Sequence, residues 1–320
     1  MVSCNTSTSG YSTFLLTGFP GLGASHHWVS IPINLICVVS ILGNSIILFL
    51  ICTDPALHEP MYIFLSMLTA SDLGLWASTF PTMVQLFWLG VGELPFNLSA
   101  AQMFFIHAFT YVEFGVLLAM AFDRFVAIRD PLHYASVLTH SAMAKVGPAI
   151  LVGAVLLNLP GPILLQCLLF PQISVPSHCY CLHYMAVVTL AYSDTTTYYG
   201  TGIGFLVLIL DSLDLTASYV VIFRAVIGLT TPEARLQTLG TCSSHICAIL
   251  VFYIPIAVSS LTHRFGNHVP PHIHILLAKF YLLIPPVLNP IVYAVHTKQI
   301  QERLLHILKS GAQPKDKLSK

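Results

Sequence analysis

Charge is what this chain has least of. Asp, Glu, Lys and Arg make up 8% of its 320 residues, against about 25% in an ordinary soluble domain. So little charge cannot cover a water-facing surface, and a soluble globular protein of this size is excluded. The 13 basic and 13 acidic residues cancel, which removes any general attraction to nucleic acid. Internal repeats and low-complexity tracts are absent. No His-Glu-x-x-His sequence occurs and no nucleophile stands beside a ready base, so a membrane enzyme would have no chemistry to work with. The paired broken-helix halves of a transporter and the charged rings of a channel are missing as well. The first residues lack a basic segment followed by an apolar core, so the first span is expected to act as the insertion signal itself.

What the chain does have is apolar length. Hydrophobic residues make up 56% of it, and a helix needs about 20 of them in a row to cross ~30 Å of hydrocarbon. Seven runs qualify: Val29 to Ile51, Met61 to Trp88, Ala100 to Ile128, Val146 to Leu169, Tyr198 to Phe223, Leu236 to Thr262 and Ile273 to Val295. The expected architecture is all-α, a seven-transmembrane helix bundle over 29–295 with an extracellular tail at 1–28 and a cytoplasmic end at 296–320. That end opens with a short eighth helix, Thr297 to Leu308. On it Lys298, Glu302 and Arg303 alternate with Ile300, Leu304, Leu305 and Ile307, a pattern suited to lipids at the inner membrane surface.

Basic residues give the orientation. Eleven of the 13 fall on one side, from Arg124, Arg129, Lys145, Arg224 and Arg235 to the six beyond Thr297, leaving Arg264 and Lys279 for the other. The positive-inside rule then puts the N-terminus outside. Asn5-Thr6-Ser7 is a glycosylation acceptor in that tail. A second match, Asn97-Leu98-Ser99, lies too near the third span for easy access.

Ionisable groups inside a span are costly and mark function by default. Asp72 and Glu113 lie midway along the second and third spans, Asn44 in the first, and Asn289 with Pro290 in the seventh. Their similar depth lets them converge, and two adjacent carboxylates cannot both ionise without a cation or a shared proton. A sodium or proton site and a structural hydrogen-bond network are both open readings. Asp211 and Asp214 share a face of the fifth span, where the reading is pairing with neighbouring helices; Asp214 has no account. Lys279 either reaches up to the aqueous cavity or helps bind an anion. Pro255, Pro285, Pro286 and Pro290 permit kinks, and kinked helices supply the two packings a switch requires. At the inner end of the third span, Asp123-Arg124 either anchors the helix or does switching work.

The motifs add up to more than a bundle. Gly43-Asn44, Leu57-His58-Glu59-Pro60-Met61-Tyr62, Asp72, Met120-Ala121-Phe122-Asp123-Arg124-Phe125-Val126-Ala127-Ile128 and Pro131-Leu132-His133-Tyr134 resemble the odorant receptors. So do Ser218-Tyr219, Thr241-Cys242-Ser243-Ser244-His245-Ile246, Phe252-Tyr253-Ile254-Pro255 and Pro285-Pro286-Val287-Leu288-Asn289-Pro290-Ile291-Val292-Tyr293. The resemblance covers nearly the whole chain. His263-Arg264-Phe265-Gly266 and Gln102-Met103-Phe104-Phe105-Ile106-His107 are similar to the class I, fish-like branch, several of whose members bind carboxylic acids.

The resemblance implies a rhodopsin-like G protein-coupled receptor at the plasma membrane, in olfactory cilia, whose odorant shifts the bundle so that a stimulatory heterotrimeric G protein engages the inner face. Trafficking chaperones would be further partners. Arg124 with Asp123, Tyr219, Tyr253, Asn289, Pro290 and Tyr293 would form the switch, and Asn44, Asp72 and Glu113 a sodium site. Arg264 would anchor a ligand carboxylate through its planar fork, or face water as a loop residue; His107, Ser260, Lys279 and Tyr184 would stand near the ligand.

The chain also departs from the family. Ser99 stands where the third-span cysteine is expected, orphaning its usual partner, Cys181, in the second outer loop. The sequence His178-Cys179-Tyr180-Cys181-Leu182-His183 then leaves unpaired thiols, a substitute bridge or a copper or zinc site. Phe125 replaces the usual Tyr, Arg129 a Cys, and Tyr184 the amide of acid-binding relatives.

Overall fold

The structure, a computed structural model, describes residues 13–15, 26–90, 93–160, 162–163, 232–265 and 271–311, with further helical positions between 213 and 228. Backbone polar groups in hydrocarbon must bond within their own segment, so long apolar runs become helices. Six long ones are described: α1 (His26–Thr53), α2 (Pro60–Trp88), α3 (Phe96–Arg129), α5 (His140–Asn158), α6 (Pro232–Phe265) and α7 (Pro271–His296). A single turn, α4 (Tyr134–Val137), follows α3, and α8 (Lys298–Gly311) follows α7. Four stretches are long and apolar enough to cross a membrane within the described residues: Ser30–Thr53, Pro60–Leu86, Asn97–Arg129 and Ser141–Asn158.

Most helix ends fall within a few residues of the expected ones, and local chemistry sets them. Asp54 accepts from the Ala56 N–H at 3.0 Å and caps the short 3-10 turn Pro55–Leu57. Pro60 then opens α2 at a position where no N–H is needed. Thr139 caps α5 by accepting from the Ala142 N–H at 3.2 Å, starting that helix earlier than the apolar run alone implies. The last turn of α3 carries Arg129, whose charge suits the negative end of the helix dipole.

Hub of the bundle is α3, packed against α2, α5 and α6, while α7 lies between α1 and α6. Its core joins Phe64, Leu65, Leu68, Val116, Leu117, Met120, Phe252 and Tyr293, all buried. Large side chains such as Leu35, Phe49 and Leu156 point outward instead, as expected where the surrounding solvent is lipid.

Three departures from expectation matter. The N-terminal tail contributes a strand the sequence did not announce: β1 (Thr13–Leu15) pairs antiparallel with β2 (Glu93–Pro95), the segment that runs directly into α3. Arg264 belongs to the last turn of α6 rather than to a loop. Finally, α8 continues to Gly311 and is clamped to the α1–α2 turn, with Arg303 Nε 2.6 Å from the Asp54 carboxylate and Tyr62 donating to Gln299.

Candidate functional site

Near the C-terminal end of α3, Asp123 is fully buried and serves two donors. Arg124 reaches back to its Oδ2 through Nε at 3.0 Å and Nη2 at 2.9 Å. Tyr134, brought round by the Pro131 turn, donates to Oδ1 at 2.7 Å. Burial, and then the Asp123 carboxylate it bonds, hold the Tyr134 phenol above its ordinary range. A charge-assisted pair of this kind is about twice as strong as a neutral one. Nearby, Asp130 takes a 3.0 Å contact from His133 on the exposed turn, and that hydrogen bond lowers its carboxyl. Leu132, between them, is 91% exposed.

Two of the sequence's departures turn out to be partners. The Arg129 guanidinium lies over the Phe125 ring, 5.5 Å from its centroid, at cation–π range. Phe125 in turn packs on Val226 and Cys242, joining α3 to the fifth-span segment and to α6. Those two are also tied by the 2.5 Å hydrogen bond between Tyr219 and His245 Nδ1. Tyr293 donates to the Met120 sulfur at 3.8 Å, linking α7 to α3.

Midway through the bundle the expected polar residues do meet, with one difference. Asn289 donates to both oxygens of Asp72, at 3.3 and 3.1 Å. Asp72 and Glu113 face each other at hydrogen-bonding range, and Glu113 Oε1 is buried without a donor. Asn44 is occupied elsewhere. Pro290 has no N–H, so it frees the carbonyl of Pro286 one turn back. That oxygen accepts from Asn44 Nδ2 at 2.8 Å and from the Ser40 hydroxyl at 2.5 Å. Ser40 itself accepts from Trp76 Nε1 at 2.8 Å, which brings α2 into the same chain of bonds. Gly43 lets the helices close up here: a Cβ would lie 3.2 Å from that of Pro290.

Sodium fits this donor set. The pair Asp72 and Glu113 offers hard carboxylate oxygens, one of them undonated; Asn44, engaged with Ser40 and Pro286, is not part of the set. Among the described residues no group of three or more His, Cys, Asp or Glu gathers as a polydentate metal site would require.

At the same depth, Phe114 on α3, the residue after Glu113, meets Phe252 and Tyr253 on α6 edge-to-face, at 4.9 and 5.0 Å between centroids. His107 is half-buried about two turns before Phe114 on α3. Phe109 is seated on Gly74, where any Cβ would collide with its ring. Gln102 donates to the Ser78 carbonyl at 2.9 Å and to the Thr82 hydroxyl at 2.8 Å. Ser99 is buried with its hydroxyl unbonded. Ser260 and Arg264 lie on α6 and Lys279 on α7, with side chains outside the described residues. Asn5, Cys179, Cys181, Tyr184, Asp211 and Asp214 lie outside them altogether.

Sequence reasoning missed Ser40 and Trp76, and it placed Tyr134 in a motif without its partner Asp123. A signal existed for the first: Ser40 stands four residues before Asn44, on the same helical face, and the proline in α7 had to leave a carbonyl to be satisfied. Trp76 gave none.

Comparison with known proteins agrees with this geometry. The olfactory receptor family model matches residues 33–310. Human olfactory receptor 52K2 is 48% identical over 309 residues, covering 96% of this chain and 98% of that protein. Human olfactory receptor 52P1 is 49% identical over 302 residues, covering 94% of each. Squid rhodopsin shares the fold at 20% identity, with a TM-score of 0.73 over 92% of this chain and 89% of that one. The chain therefore belongs to the class I branch of the olfactory receptor family: a multi-pass plasma-membrane receptor of seven helices that takes a small-molecule ligand and a heterotrimeric G protein, and not an enzyme.

Proposed function

We propose that this receptor binds a small carboxylic acid in the outer cavity and activates the stimulatory olfactory G protein, raising cAMP. The observation that carries the signalling half is the inner clamp, in which Asp123 holds Arg124 while Tyr134 holds Asp123. A ligand acts by favouring one arrangement of the bundle over another. Its path inward runs through Phe114, which touches Phe252 and Tyr253 just ahead of the Pro255 kink. Displacing those rings levers α6 outward, strains the Tyr219–His245 bond and opens the inner face. Arg124 then leaves Asp123 for the G protein, and exposed Leu132 supplies an apolar contact beside it.

The acid preference rests on Arg264, in the last turn of α6 at its outer end, with His107, Ser260, Lys279 and Tyr184 as neighbours of the ligand. Asp72 and Glu113 hold sodium in the resting arrangement; a cation there would neutralise the facing carboxylates. The receptor sits in ciliary plasma membrane with its N-terminus outside and Asn5 glycosylated, and reaches it with trafficking chaperones.

The test is a cAMP reporter assay in cells co-expressing those chaperones, with short-chain carboxylic acids and their matched alcohols. Acids alone should activate, and Arg264→Ala should abolish the response while surface expression is unchanged. Equal potency of an acid and its alcohol, or full response by Arg264→Ala, removes the acid reading. Silence toward every ligand at good surface expression counts against signalling.

A further inference from the structure

The outer end of α3 lacks the cysteine that the family resemblance leads one to expect, and something else must fix it. Ser99 occupies the first turn of that helix, buried and unbonded. Immediately before it comes β2, whose Pro95 is the N-cap of α3. Any restraint on β2 is therefore a restraint on where α3 begins. β1 supplies one, from a part of the chain two spans away. Thr13 faces Pro95, Phe14 faces Leu94 and Leu15 faces Glu93. A two-stranded ribbon this short has almost no stability alone. Here it is packed: β1 and β2 both lie against α3, and Leu94 is buried. One turn further in, Gln102 bonds Ser78 and Thr82 on α2, so the same end of α3 is held from two directions.

We propose that the β1–β2 pairing is the tie that anchors the outer end of α3 in this receptor, at the point where Ser99 withholds a disulfide. The N-terminal tail is then a structural part of the ligand-binding half, because α3 carries His107 about three turns along from the ribbon. Strand pairing and a restored bridge act on the same helix end, so each makes the other partly redundant.

Three variants test this in the full-length receptor. Facing strand residues lie about 4.5–5.5 Å apart at Cα, inside the ~4.4–6.8 Å span of a disulfide. Thr13→Cys with Pro95→Cys should accordingly raise the melting temperature of the detergent-solubilised receptor, and dithiothreitol should reverse the gain; neither single variant should do so. Replacing Thr13-Phe14-Leu15 with Gly-Pro-Gly should lower surface receptor by flow cytometry at least about threefold. The same replacement in a Ser99→Cys background should cost clearly less. An unchanged melting temperature in the double-cysteine variant overturns the pairing. Equal losses in both backgrounds, or none in either, overturn the anchoring role.

Discussion

Asp123 answers to two partners, and that makes its neighbours sensitive to small changes. The carboxylate is fully buried with Arg124 on one oxygen and Tyr134 on the other. Removing the phenol hydroxyl leaves an acceptor short of a donor and loosens the hold on Arg124. A hydrogen bond to a charged group contributes about 1.5–3 kcal/mol, which at the lower end is roughly a tenfold shift in a resting equilibrium. Tyr134→Phe should therefore raise ligand-free cAMP at matched surface expression; a basal signal equal to wild type would show that the bond is not specific to the resting arrangement. Ser99 is the complementary case, a buried hydroxyl with nothing to bond. Ser99→Cys is expected to engage Cys181 and raise surface expression and melting temperature, since such bridges contribute ~2–5 kcal/mol in small extracellular structures. Flow-cytometry signal and melting temperature both unchanged would sink that expectation.

Between elements, one close approach joins α1 to α7. A Cβ on Gly43 would sit 3.2 and 3.3 Å from the Cβ and Cγ of Pro290, a ring with no rotamer to yield. Gly43→Ala should push the helices apart and stretch the Ser40 and Asn44 bonds to the Pro286 carbonyl. Overpacking of this kind costs about 1–3 kcal/mol, to be read as a lower melting temperature that Gly153→Ala, with open space around its site, does not share.

The helices themselves were legible in the sequence because an apolar run must match the thickness of the bilayer. Their ends were less so, being set by single caps such as Thr139. β1 and β2 were invisible: three residues each carry no readable alternation, and their pairing spans the first two membrane helices. In the site, Asp72, Asn289, Asp123 and Arg124 stood out because charged and amide side chains are rare in lipid. Ser40 and Trp76 did not, since serine and tryptophan are unremarked in an apolar helix until a carbonyl needs them.

At the scale of the whole molecule, polar groups form a broken column along the bundle: Arg124 bonds Asp123, Tyr293 bonds Met120, and Asn289 bonds Asp72, which faces Glu113. Sodium held by the two carboxylates would favour the arrangement in which they face each other and oppose signalling. Replacing sodium with a large organic cation should raise ligand-free cAMP in the wild type. Asp72→Asn should flatten that dependence; a sodium response identical in both would assign the carboxylates to a hydrogen-bond network alone.

Fastening at two points along one strand of that column limits how the receptor can move. The Pro286 carbonyl is pinned to α1 by Ser40 and Asn44, and Arg303 is pinned to the α1–α2 turn by Asp54. Asn289 and Tyr293 lie on the stretch between. With both ends moored to the same neighbour, that stretch cannot swing as a free lever. It can only twist about its own axis, so Tyr293 would change partners by rotation in place, and α1 would serve as the fixed frame against which the turn is made.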